Sequence, residues 1–169
     1  RLRDSLHHGN VHRSAAACLA LERALGKDAG KDLQPLLASE HAQVRLAAAQ
    51  ALANHGDRAA LPVLVDLLDA EATGQRHQAN AVLRAATGEH FGFAAYASAD
   101  QRAAKIKRWR NWLAENGETA KLNFPLKPLA AAEVGHTVVT AYSQGRVYVI
   151  GEQGKEILQL NPSFSGPWG

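Results

Sequence analysis

The sequence predicts a mainly α fold: an α–α superhelix of stacked helix pairs over residues 1–117, followed by a small antiparallel β-meander. Three observations predict it. Before Gly117 alanines dominate, and apolar residues recur at helical spacing, as in Val44, Ala47, Ala48, Ala51 and Leu52, and in Leu61, Leu64, Val65, Leu67 and Leu68. Ala-rich helices over 11–25, 42–53 and 74–86 return at a step of roughly 31 to 33 residues, and such a period indicates a helical solenoid. After Gly117 the composition changes to Val, Tyr and Thr clusters bounded by glycines, the signature of short strands.

Each element has its own local reason. Asn54-His55-Gly56-Asp57 supplies a Gly stop and then an Asp able to cap the next helix, whose first turn carries Pro62. One helix pair cannot bury its apolar face alone, so neighbours must stack, and about six helices are expected in the array. Thr87-Gly88-Glu89-His90-Phe91-Gly92-Phe93 breaks the helical pattern. Ala99-Asp100 then caps a last helix through Glu115, with Ile106, Trp109 and Leu113 on one face and Trp112 beside them, closing the solenoid. Pro125 and Pro128 mark 118–135 as an extended linker. Within 136–169, His136–Tyr142, Arg146–Ile150 and Lys155–Leu160 read as three strands joined by Ser143-Gln144-Gly145 and Gly151–Gly154.

Two resemblances are carried by these residues. The stretch Leu36 to Leu52, with Val44-Arg45 and Ala47-Ala48-Ala49-Gln50-Ala51-Leu52, followed by Gly56-Asp57 and Ala60-Leu61-Pro62-Val63-Leu64, resembles a HEAT-like repeat of the kind also found in phycobilisome lyases. In the flanking copies Gln75-Arg76 stands for Val-Arg, and the first copy reads Val11-His12-Arg13-Ser14. The Thr-Gly-Glu-x-Phe-Gly turn and the later Arg-Trp-x-x-Trp helix resemble the end of bacterial HEAT-repeat arrays. Gly145-Arg146-Val147, Gly154-Lys155, Ile157-Leu158 and Gly166-Pro167-Trp168-Gly169 resemble one blade of a pyrroloquinoline-quinone-like β-propeller. A propeller needs at least four blades. The strands are therefore expected to belong to a longer propeller, to pack on the helices, or to pair with another copy through an open edge.

The composition narrows the chemistry. A single cysteine, Cys18, excludes a disulfide framework and a Cys-based zinc or iron–sulfur site. No window approaches ~18 consecutive apolar residues, so no membrane-spanning helix and no membrane partner are expected. Nineteen basic residues against sixteen acidic ones give +3, too balanced to announce a nucleic-acid partner. There is no Met, Arg1-Leu2-Arg3 opens inside a helical pattern, and Ser163–Gly169 stops on turn residues. That pattern is expected of a fragment or processed product, with a small protein of trimmed start as the alternative.

No carboxylate pair, Ser-His-Asp order, Gly-rich phosphate loop or His-Glu-x-x-His motif is present, so neither catalysis nor a cofactor is expected. His7, His8 and His12 form the densest histidine group, but their spacing is no known ligand pattern and reads as a surface turn. Cys18 reads as a small buried hydrophobe. Lys105, Lys107, Arg108 and Arg110 interleave with Trp109 and Trp112, the composition of a phosphate-gripping helix, but Trp109 fits the core stripe and the charges fit a solvated face. The resemblance implies that Arg45 packs between layers and pairs with an acid such as Asp57 or Asp66. It also implies that Gln43, Gln50, Asn54 and Arg84 face the groove where such solenoids bind partners. The reading is a non-catalytic protein-interaction scaffold, binding through that groove or the β edge. The alternatives are the helical part of a longer secreted or periplasmic propeller protein, a phycobilisome-type lyase, and a nucleic-acid-binding repeat protein.

Overall fold

The computed structural model describes residues 2–127, together with the backbone of three strands at 137–141, 146–150 and 156–160. The chain divides into two compact units, Arg1–Lys127 and Pro128–Gly169. The first unit holds α1 (Leu2–Leu6), α2 (Val11–Leu25), α3 (Gly30–Leu33), α4 (Ala42–Ala53), α5 (Ala60–Asp66), α6 (Thr73–Thr87) and α7 (Ala99–Asn116). Short 3-10 turns at Gly26–Ala29, Gln34–Ala38 and Leu67–Asp69 flank α3 and extend α5. The expected long helices are thus α2, α4 and α6. Their second partners in the first two pairs are shorter than a regular solenoid helix. Gly26 at φ +59° separates this segment from α2, and Pro35 opens a 3-10 turn, so residues 26–38 form short alternating 3-10 and α turns rather than one continuous helix.

Central to the unit is α4, which packs along α2 on one side and touches α5, α6 and the Gln34–Ala38 turn. Alanine makes that possible. Ala47, Ala48, Ala49, Ala51 and Ala53 are all buried, and their small side chains let neighbouring backbones approach closely. The larger volume is filled from the second layer, where Leu33, Leu61, Leu64, Leu67 and Leu68 lose essentially all exposure. Each contributes roughly 1.5–3 kcal/mol by leaving water.

Helix ends follow from short-range chemistry. Asn10 Oδ1 accepts from the amides of His12 and Arg13, capping α2. Gly88 takes the left-handed conformation at φ +77° and ends α6, the stop expected from its sequence. Asp57 Oδ1 accepts from Ala59 N at 2.9 Å, ordering the turn just ahead of α5. For α7 the cap is Ser98 rather than Ala99-Asp100: Ser98 Oγ accepts from Gln101 N while the Gln101 side chain accepts from Ser98 N. A reciprocal capping box outcompetes a lone Asp, and Asp100 instead places its charge in the positive first turn. As expected, Ile106 and Trp109 of α7 are buried, with Trp112 and Leu113 packed partly against the same core. Phe91 meets the Trp109 ring edge-on at 4.6 Å.

After α7 the chain turns through 117–120 and continues as a strap to 127 that still belongs to the helical unit. Arg58 Nη1 and Nη2 donate to the carbonyls of Gly117 and Ala120 at 2.7 and 2.6 Å, and Leu122 is buried. Asn123 N donates to Ala86 O at 2.7 Å, and Leu126 N to Asn54 Oδ1 at 2.8 Å.

In the second unit the described backbone comprises β1 (Thr137–Ala141), β2 (Arg146–Ile150) and β3 (Glu156–Leu160), antiparallel in the order β1-β2-β3. Thr137 is opposite Ile150, and Val147 opposite Leu160, with a register irregularity at Val149/Ile150. The linker residues 128–135, the expected turns and the Gly166–Gly169 end lie outside the described residues. So does what the blade resemblance and the pairing of an open β edge would require of them.

Candidate functional site

Residues 43, 47, 50 and 54 fall on one face of α4 by helical geometry. Gln43, Gln50 and Asn54 are its half-buried polar members. Each reaches a neighbouring helix. Gln43 Nε2 lies 3.1 Å from His12 Nδ1 on α2, and Asn54 Nδ2 donates to Glu22 Oε1, also on α2, at 2.7 Å. His55 Nε2 approaches the same Glu22 oxygen at 2.8 Å. Toward the other side, Gln78 Nε2 of α6 donates to Gln50 Oε1 at 2.7 Å. These bonds form polar rungs across α2, α4 and α6. Three of the four residues expected to face a groove, Gln43, Gln50 and Asn54, thus lie on one laddered face, and Arg84 is half-buried near the end of α6.

Arg45 differs from expectation. Its Nη1 donates to the carbonyls of Ser39 and Glu40 at 2.6 and 3.0 Å. Asp57 instead accepts from Gln34 Nε2 at 2.9 Å, and Asp66 pairs with Arg110 at 3.2 Å. The reason is reach: the preceding turn leaves two carbonyls beside the start of α4, closer to Arg45 than either acid. The same device recurs one period on. Arg76 Nη1 donates to Ala70 O and Glu71 O at 2.7 and 2.6 Å, its Nε to Ala95 O at 2.8 Å, and its Nη2 to Thr73 Oγ1 at 2.8 Å. Ser14, at the equivalent place on α2, donates from Oγ to His8 O at 2.9 Å. In all three repeats a side chain near the helix start is tied to the carbonyl six residues before it.

The remaining candidates are now placed. Among the described residues no three His, Cys, Asp or Glu side chains are grouped to hold a metal ion. His8 Nδ1 accepts from Asn10 N at 3.0 Å, and its Nε2 lies 3.3 Å from Arg13 Nη1. His12 is engaged with Gln43. Cys18 is fully buried, its Sγ donates to Ser14 O at 3.3 Å, and burial pushes the thiol up to about 11. On α7, Arg110 is paired with Asp66, Lys105 is half-buried, and Lys107 and Arg108 are exposed. Sequence reading missed Glu22, Arg58 and Gln78. Their polar types carry no periodic mark, and their roles arise only when helices distant in sequence meet.

A family model described as HEAT repeats matches residues 2–84, from α1 through most of α6. That stretch is HEAT-like. No curated protein and no solved structure matches the chain. Among the described residues no helix is long and apolar enough to cross a membrane.

Proposed function

We propose that the chain is a non-catalytic scaffold that binds a protein partner on the face formed by α2, α4 and α6. The carrying observation is the ladder of polar rungs. It fixes Gln43, Gln50 and Asn54 at half exposure on stacked, rigid helices, so their spare donors and acceptors are held in place for a partner at little entropic cost. Arg84 adds a cation on the same array of helices.

The test is a pull-down from the protein's own source with wild type and a Gln43→Arg/Gln50→Arg double variant, after circular dichroism shows equal helicity and equal Tm. A protein retained by wild type and lost by the double variant supports the reading. Retention of the same protein by both moves binding off this face, and retention of none removes the scaffold reading. Nucleic-acid binding through the exposed Lys107 and Arg108 predicts a steep fall in affinity for duplex DNA with salt, absent from a double alanine variant.

A further inference from the structure

The strap that follows α7 has an anchored root and a lightly held tip. The root is fixed by Arg58 on two carbonyls and by buried Leu122. The tip, Asn123-Phe124-Pro125-Leu126, sits on the C-terminal ends of α6 and α4 through two backbone amides, the Phe124 ring and the partly buried Leu126 side chain, and Phe124 is still 59% exposed. The edge beneath it is built to receive a backbone. Ala86 O is one of the carbonyls that the end of α6 leaves without a helical partner, and it accepts the first amide. Asn54 Oδ1 accepts the amide three residues later. Between them Gly56, at φ +77°, presents no side chain: a Cβ there would come within 2.6 Å of the Phe124 ring. The residue after the aromatic is proline, which has no amide to leave unsatisfied. The chain neighbours of Gly56, His55 and Asp57, help line, with Leu33 and Leu52, a hollow of about 170 Å³.

We infer that this edge is a recognition surface for a peptide segment of the pattern aromatic-Pro-aliphatic, and that residues 123–126 of the same chain occupy it as an intramolecular competitor. The surface goes beyond the face proposed above and shares only Asn54 with it. A partner segment of that chemistry displaces the tip while the root stays bound. The tip of the same chain is present at high effective concentration, so it masks weak binding of a separate peptide until it is weakened.

The probe is a fluorescein-labelled peptide with the sequence of residues 119–127, titrated into the full chain and followed by anisotropy. Phe124→Ala in the full chain, checked for wild-type helicity, is expected to bind it at least tenfold more tightly than wild type does. The same peptide with its Phe replaced by Ala is expected to bind neither, and adding Asn54→Ala is expected to weaken binding to the Phe124→Ala chain. No binding to Phe124→Ala, or equal binding to both chains, overturns the proposal. If Phe124→Ala does not fold, the wild-type chain decides: amide shifts at Gly56 and Asn123 under millimolar peptide support it, and their absence overturns it.

Discussion

Arg76 is only 8% exposed, and among the described residues its charge is met by three carbonyls and one hydroxyl rather than by a carboxylate. Removing it leaves those carbonyls without donors in a water-poor site, so Arg76→Ala is expected to cost about 3 kcal/mol in urea unfolding. Arg76→Lys keeps the charge but loses the fork that serves several acceptors at once, and is expected to recover about half of that. Arg45→Ala, half-buried with two bonds, is expected to cost less, about 1–2 kcal/mol. The reverse order in denaturation midpoints would show that the burial of Arg76 carries no energetic weight. Cys18 supplies a second check at this scale. The unfolded thiol loses its proton near 9 while the folded one keeps it to about 11, so stability is full below pH 9 and declines between those values. Iodoacetamide at pH 8 is expected to label Cys18 only after denaturant is added. Rapid labelling of the native chain would contradict its burial.

Among the elements, α7 depends on its two ends differently. Its start is held by a capping box, and Ser98→Ala is expected to cost about 1 kcal/mol. Its middle is held by Trp109, fully buried between Phe91 and Trp112, and Trp109→Ala is expected to cost about 3–5 kcal/mol. Thermal melts of both variants should separate clearly; equal shifts would mean that the aromatic cluster is not what closes the array. Helix existence was legible in sequence here because Ile106, Trp109 and Leu113 repeat at helical spacing. The cap was not, because Ser98-x-x-Gln101 and Asp100 both satisfy the statistics of a helix start and only the reciprocal bond distinguishes them. The same limit applies between 26 and 38, where Leu33, Leu36 and Leu37 keep an apolar pattern while Gly26 and Pro35 interrupt a regular helix. The period of the alanines named α2, α4 and α6 correctly, since small residues on every turn are a requirement of close packing rather than a local preference.

For the whole helical unit, stacking predicts cooperative loss of structure. Arg45→Ala in the second repeat is expected to lower the melting of α7, followed by tryptophan fluorescence, by as much as it lowers helicity followed by circular dichroism. Two separated transitions would show that the repeats melt independently. The polar face was legible as a set of residues but not as a ladder, because Gln43, Gln50 and Asn54 find His12, Gln78 and Glu22 only across helices. The strap was legible even less: Pro125 and Pro128 mark extended chain equally well whether it runs free or lies along helix ends. The side-chain ties at Ser14, Arg45 and Arg76 have a different reach. Each fastens the start of its helix to the turn just before it, and Arg76 reaches on to Ala95 O beyond α6 as well. A duplicated copy of such a unit would arrive with its own fastening already included. The number of units in an array of this kind can therefore lengthen or shorten by whole copies with each helix start keeping its tie to the turn before it.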